Sequence, residues 1–386
     1  MKKLKKKLII LLHGPLSKRE FKTFGIKYLK KKFNLLITEI SPLVNSSHYK
    51  FKRHYKFKII NNFSELEHFF SKNKNSMCWE TGFSYNSLRV FRLLKKYNIK
   101  TISADGISSL PTQRFLNRTR YFELFLRRLK LLTFNPIIFL NRISFSIEAW
   151  LRILRYKFTD IALIGGKSYE QYNGYINAKE KIYCASLDYG TSLNVKKKIF
   201  KKKFAVFVDT YLPFHPEHSL TTSKLINVND YFNSLTIFFE KFQKLTKLDL
   251  VVALYPKAEL KRYPKKFKKF KIIKNKVAEL IKGSEIVLHH GSTAHSYAAI
   301  YKKPVLYLTT NFIEKIKHVR DNSQRIEFLG SQTINIDSFD ETFFLNSKKL
   351  FYFNKELYKN FVTNYLKHNR SKKEPWYISF NKHFNG

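Results

Sequence analysis

The sequence predicts an α/β protein built from two domains with parallel sheets. Its 386 residues exceed what one ordinary core organises and suit two domains of about 150 residues with connecting and terminal helices. Hydrophobic residues make up 44% and aromatic residues 16%, ample apolar surface for folded cores and too much for a disordered chain. In both halves, short apolar runs alternate with helical or loop stretches, the order that crossover-connected parallel strands produce.

In the first half the runs are Leu8 to Leu12, Leu35 to Ile40, Ser76 to Trp79, Thr101 to Ala104, Ile161 to Gly165 and Ile182 to Ala185. They define an N-terminal domain over 1–195. Between the fourth and fifth lies an insert, 112–158, in which Arg alternates with Phe, Leu and Ile; the spacing of Phe115, Thr119, Phe122, Leu126 and Leu129 predicts helices, broken near Pro136. A basic stretch, Lys196 to Lys203, marks the connection to a second domain over 196–386. There a strand at Phe204 to Val208, a helix at Asp230 to Leu245 and a strand at Leu250 to Tyr255 come first, then a Lys-rich loop from Lys261 to Lys274. A helix at Val277 to Lys282, strands at Ile286 to His289 and Val305 to Thr309, and a helix between them from about Thr293 complete the pattern. The tail, Glu341 to Lys367, reads as helical, with Pro375 as a stop and the whole tail assigned to the second domain.

The chain has 73 Lys and Arg against 28 Asp and Glu, a formal charge of +45. Abundant Lys, Asn, Ile, Phe and Tyr fit an AT-rich genome, but the scarcity of acids leaves a residual signal for an anionic surface or substrate. Cys78 and Cys184 are too few for a disulfide framework and lack zinc-site spacing, so a reducing cytoplasm is the expected compartment. The run Leu8 to Leu12 is too short for a secretory core, and the insert carries Arg142, Glu148 and Arg152, so no bilayer span is expected. The insert, with aromatic and aliphatic residues beside cations, is instead expected to hold the protein peripherally on the inner membrane face; an interdomain or oligomeric helix pair is the alternative.

The most informative segment is Ser284 to Thr310, SEIVLHHGSTAHSYAAIYKKPVLYLTT. A strand ends in a small polar turn, a helix follows, and a second strand opens after Lys303-Pro304. Such turns face ligands at the carboxyl ends of strands. Gly291 permits close approach, Ser292 and Thr293 can cap the helix or donate to a phosphate, and His289, His290 and His295 add to the reading. Asp209 closes an apolar strand, where a carboxylate can act as general base, act as nucleophile, or cap the following turn. His215, in His215-Pro216-Glu217-His218, could supply an acid, base or donor contact. Glu80, in Trp79-Glu80-Thr81-Gly82, is a reserve candidate for the base, and Asp105 has the same placement; a turn or cap role is the alternative for both. Gly166-Lys167-Ser168 does not make a phosphate-binding loop, because the first glycine that motif needs is replaced by Ile161 inside a strand. No Asp-x-Asp pair for a nucleotide-bound divalent ion occurs.

These motifs, together with LDYGTSL (187–193), VFVDTYLPFHPEH (206–218), YFNSLTIFFEKF (231–242) and VVALYPKAE (251–259), resemble the donor-binding half of GT-B glycosyltransferases of bacterial surface-carbohydrate synthesis, including the sialyltransferase and Kdo/nonulosonic acid transferase group. The likeness spans about residues 182 to 311, roughly half the chain. It implies two Rossmann-like domains facing a cleft, with the acceptor on the first and the nucleotide sugar on the second. It further implies a metal-independent enzyme without cofactor that moves a sugar, such as a nonulosonic acid or Kdo-like sugar from a CMP donor, onto a glycan or lipid-linked glycan in capsule or lipopolysaccharide synthesis. Where that group carries His-Pro, this chain has Tyr255-Pro256-Lys257; Tyr255 could stack on a base or ribose, or pack in the core, and Lys257 could offset phosphate charge. His290, Gly291, Ser292 and Thr293 complete the implied donor site. The alternatives are a CDP-polyol phosphotransferase with a similar fold and a basic nucleic-acid-binding protein. No nucleic-acid partner is expected, since no RRM signature, zinc finger or basic heptad region is present.

Overall fold

The computed structural model describes residues 5–44, 53–82, 87–108, 159–170, 178–195, 199–214, 226–315, 329–345 and 347–385. The expected 112–158 insert and His215 lie outside them. The chain divides into two compact units, Met1–Gly190 with Asn364–Gly386, and Thr191–Thr363.

The first unit holds a seven-stranded sheet: β1 (Lys7–Leu12), β2 (Asn34–Glu39), β3 (Lys58–Ile59), β4 (Met77–Glu80), β5 (Lys100–Ser103), β6 (Ile161–Ile164) and β7 (Glu180–Tyr183). Their order is β3-β2-β1-β4-β5-β6-β7, and every pairing is parallel. Both faces must then be covered, which is why β1 reads as the unbroken run KLIILL. One face packs Leu8, Ile10 and Leu12 with Leu29 and Phe33, and the other packs Ile9 and Leu11 with Leu66, Phe70 and Phe91.

The second unit holds six parallel strands: β8 (Phe204–Val208), β9 (Asp249–Leu254), β10 (Lys271–Lys274), β11 (Ile286–His289), β12 (Val305–Thr309) and β13 (Gln332–Asn335), ordered β10-β9-β8-β11-β12-β13. Its largest helix, Val228–Thr246, begins where the Asn227 side chain accepts hydrogen bonds from the amides of Asn229 and Asp230. Leu235, Phe238, Phe239 and Phe242 recur at helical spacing and are fully buried. Burying each stabilises the fold by about 1.5–3 kcal/mol.

In both sheets the chain steps outward from the central strand in one direction and then reverses. The reversal lies between β1 and β4 in the first unit and between β8 and β11 in the second. Strands that diverge there leave a crevice at their carboxyl ends, where open α/β sheets bind ligands.

Three expectations need correction. The Lys261 to Lys274 stretch contains β10, an edge strand whose terminal lysines hide the Ile272-Ile273 pair. Pro375 does not stop a helix but precedes one, Trp376–Asn385, as suits a residue without an amide hydrogen. The end of the tail belongs to the first unit: Trp376 and Phe380 join the core of Leu8, Ile10 and Trp79, and the Trp79 and Trp376 rings meet edge-on at 5.2 Å. The indole nitrogen of Trp376 donates to the carbonyl of Thr23. Trp376→Ala should therefore cost about 3–5 kcal/mol. Hydrogen exchange is expected to quicken in β1 and β4 while β8 and β11 keep their protection; equal loss in both units would mean that the tail stabilises the chain in another way.

Candidate functional site

Both reversal points carry a buried acid at the end of a central strand. In the second unit this is Asp209, directly after β8 and 5% exposed. Its Oδ1 accepts the amide of Tyr211 at 2.9 Å, and its Oδ2 accepts the amide of Tyr255 at 3.1 Å and the Tyr263 hydroxyl at 2.6 Å. A buried carboxylate so supplied with donors is stable as an anion. The two amides come from the chain leaving β8 and the chain leaving β9, so Asp209 ties two strand ends together. The Tyr211 backbone is held at φ 58, a left-handed conformation that a bulky residue adopts only when its surroundings demand it. The Tyr211 ring then lies parallel to that of Tyr255, with centroids 5.9 Å apart, while the Arg262 guanidinium sits 4.3 Å over Phe214. Burial and then the Asp209 charge push the phenols of Tyr263 and Tyr231 well up, so both stay neutral donors.

Across the reversal, β11 ends in His289-His290-Gly291-Ser292. Nδ1 of His289 accepts the amides of Gly291 at 2.8 Å and Ser292 at 3.0 Å, which assigns its hydrogen to Nε2. Gly291 sits at φ 92, a conformation that lets the turn fold back onto the imidazole. His290 is oriented the other way: its Nδ1 lies 2.6 Å from the Leu308 carbonyl and donates to it, leaving the Nε2 lone pair as an acceptor. Burial holds His289 well below the ordinary imidazole range and pushes His290 down to about 4. Both rings are neutral near pH 7.

The expected cap is built differently. The helix is His295–Tyr301 with Ala294 at its start, and Ser292 Oγ accepts the Ala294 amide at 3.2 Å. The amides of Gly291 and Ser292 are taken by His289, and His295 Nδ1 lies 2.6 Å from the Ser292 carbonyl. What the turn offers a ligand is hydroxyls: Ser292 keeps its hydroxyl hydrogen, and Thr293 is exposed. Among the described residues, His289 Nε2, His290 Nε2, the Tyr231 hydroxyl and Thr210 Oγ1 are buried at this end of the unit without a hydrogen-bond partner. The Tyr231 and His290 rings are neighbours, with centroids 5.6 Å apart. Tyr255 and Lys257, after β9, are half-buried.

In the first unit Glu80 ends β4 and is 3% exposed. Its Oε1 lies 2.6 Å from Nε2 of His13, the residue after β1, and accepts the Ser87 hydroxyl at 2.6 Å. Glu80 is shielded while the His13 side chain keeps 11% exposure, so the imidazole is the group of this pair that meets solvent. A methyl on Gly82 would lie 2.7 Å from Cγ of His13; only glycine leaves the ring its place. Glu80 is among the residues expected from the sequence and His13 is not, although His13 closes an apolar strand just as Asp209 does. Asp105 begins a short helix, Asp105–Ser108. Among the described residues no three His, Cys, Asp or Glu gather as a metal site would require.

Asp209→Ala would leave two amides and a phenol without their acceptor, a loss of about 3 kcal/mol or more, measurable as a fall in the denaturant midpoint of the second unit. The buried His290 gives a pH dependence. Its folded value of about 4 lies below the ordinary 6.5, so the stability linked to its neutrality is full above pH 6.5. That stability is lost as pH falls toward 4, by about 3 kcal/mol, because only the unfolded imidazole takes up the proton. His290→Asn, which can still donate to Leu308, should flatten that part of the curve; an unchanged slope would show that His290 is protonated in the folded chain.

No protein-family profile and no curated protein sequence matches the chain. Its fold does have solved neighbours. Two variants of the wall teichoic acid polymerase TagF superpose with TM-scores of 0.56 and 0.51, each at 11% identity, covering 98% of this chain and 88% of theirs. UDP-GlcNAc 2-epimerase from Methanocaldococcus jannaschii aligns with a TM-score of 0.48 at 12% identity, over 96% of this chain and 95% of its own. With two doubly wound parallel sheets in two units, the chain has the GT-B fold of two Rossmann-like domains.

Proposed function

We propose that the chain is a glycosyltransferase that moves a sugar from a nucleotide-activated donor onto a growing cell-surface polymer. The observation that carries this reading is the set of partnerless buried polar atoms at the β8/β11 reversal, on Tyr231, His289, His290 and Thr210. Native folds leave few such atoms, and those that remain gather where a ligand or water completes them. In this reading the hydroxyls of Ser292 and Thr293 hold the donor phosphate, and Lys257 offsets its charge. The Tyr255 ring, stacked on Tyr211, offers a face to the base or ribose. Asp209, its oxygens already engaged, positions Tyr255 and Tyr263 and is not the base.

The base is His13. With Nε2 hydrogen-bonded to Glu80, its Nδ1 carries the lone pair. It takes the proton of the acceptor hydroxyl as that oxygen attacks the sugar's anomeric carbon. The bond from that carbon to the phosphate oxygen breaks, and the nucleotide leaves with the electron pair. Glu80 steadies the imidazolium so formed, as a carboxylate behind a histidine does. The sequence points to a CMP-activated nonulosonic or Kdo-like sugar and a glycan or lipid-linked acceptor. A second reading, polyol-phosphate transfer from a CDP donor, takes support from the two TagF neighbours; the same base then directs the attack at the phosphorus that bears the polyol, the bridging phosphorus–oxygen bond breaks, and CMP leaves with the electron pair.

Thermal-shift measurement with CMP, CDP, UDP and GDP, followed by analysis of the transfer product, tests these readings. A nucleotide at 100 times its Kd should add about 2.7 kcal/mol of stability. Both transfers release CMP, so the product decides between them, a glycosidic bond for sugar transfer and a phosphodiester for the polyol reading; no shift with any of the nucleotides contradicts both. His13→Asn should lower kcat by about two to four orders of magnitude while nucleotide binding is kept. Glu80→Gln should cost less, and near-native turnover by His13→Asn would remove the histidine from the chemistry.

A further inference from the structure

A second anionic partner is written into the opposite end of the six-stranded sheet. At the amino ends of β8, β9 and β10 lies an open cavity of about 540 Å³, lined by Lys201, Lys202, Lys269 and Lys271 around Phe200 and Phe270. Phe204 and Asp249 open β8 and β9 side by side, and Lys271 opens β10 beside Val251, so the cavity sits a strand's length, about 17 Å, from the β8/β11 reversal. The lysines at 203, 265, 266 and 268, neighbours in sequence of the lining residues, are exposed. Two acids face it, Glu240 and Asp249, and Glu240 is already paired with Lys269.

We infer that this edge docks the protein on a membrane surface rich in anionic phospholipid headgroups. Recognition of one small anion uses a few convergent, buried polar groups, and the four lining lysines are exposed instead. Many long ammonium side chains on one edge suit an extended anionic surface, where each contributes separately. Nucleic acid would also meet the charge, yet single strands need open aromatic faces for stacking. Here the Lys271 ammonium covers the Phe200 ring at 3.9 Å, and Phe270 is 7% exposed. A membrane needs no such platform.

The full chain, without nucleotide or acceptor, is tested by flotation with vesicles of phosphatidylcholine alone and with phosphatidylglycerol added, so that failure of the catalytic reading leaves this result unaffected. Binding is expected only to the anionic vesicles and should weaken with salt. Replacing Lys201, Lys202, Lys269 and Lys271 together by Gln should lower partitioning by at least about a hundredfold. Replacing Lys27, Lys30, Lys31 and Lys32, an equal charge on the first unit, should leave most of it. Should the fourfold variant fold poorly, Lys201→Gln with Lys202→Gln is expected to give about a tenfold loss. Equal losses in the two sets, or retained binding by the edge variant, would overturn the proposal. So would an edge variant that loses binding to RNA or inorganic polyphosphate but not to vesicles.

Discussion

The second unit is organised around one buried negative charge. A carboxylate at the end of a central strand is costly unless every oxygen is supplied with donors, and Asp209 obtains them from Tyr211, Tyr255 and Tyr263. Those residues leave two strands and a short helical loop, so satisfying the acid fixes three pieces of chain at the reversal point. The left-handed Tyr211, the parallel tyrosine rings and the neutral phenols of Tyr231 and Tyr263 follow from that arrangement. The first unit also buries an acid at a strand end, Glu80, whose Oε1 takes both the Ser87 hydroxyl and His13. The outcomes differ in one respect: Asp209 is surrounded by its donors, while Glu80 holds an imidazole that meets solvent.

Neutral histidines serve the same end. His289 takes the place of an anion for two amides of its own turn, and His290 is locked by a backbone carbonyl. Each bond leaves the second ring nitrogen without a partner in a region of low polarisability, where an added hydrogen bond is worth more than in water. Both nitrogens are closed off from solvent in the structure, so a ligand that hydrogen-bonds to them must first open the turn above them.

Much of the architecture was legible because parallel strands covered on both faces are continuous apolar runs, as in Leu8 to Leu12 and Phe204 to Val208. Three of the four edge strands escaped notice for the opposite reason. β3 has two residues, β10 is flanked by lysines, and β13 is the polar QTIN. The candidate site was legible as a location, since residues that close central strands must lie at the carboxyl edge. Roles were not. That Asp209 bonds Tyr263, 54 residues along the chain, and that Glu80 bonds His13, 67 residues back, depends on strand order, which no local pattern contains. The docking of Trp376 against Trp79 is hidden in the same way.

The central claim, that a nucleotide completes the buried polar atoms at the β8/β11 reversal, is tested most directly by side-chain nitrogen NMR of the histidines during titration with the nucleotide that stabilises the chain best. The account expects the Nε2 resonances of His289 and His290 to move together at saturation while His54 and His68 stay fixed. Saturable binding that leaves both buried histidines unmoved would contradict it and place the nucleotide elsewhere.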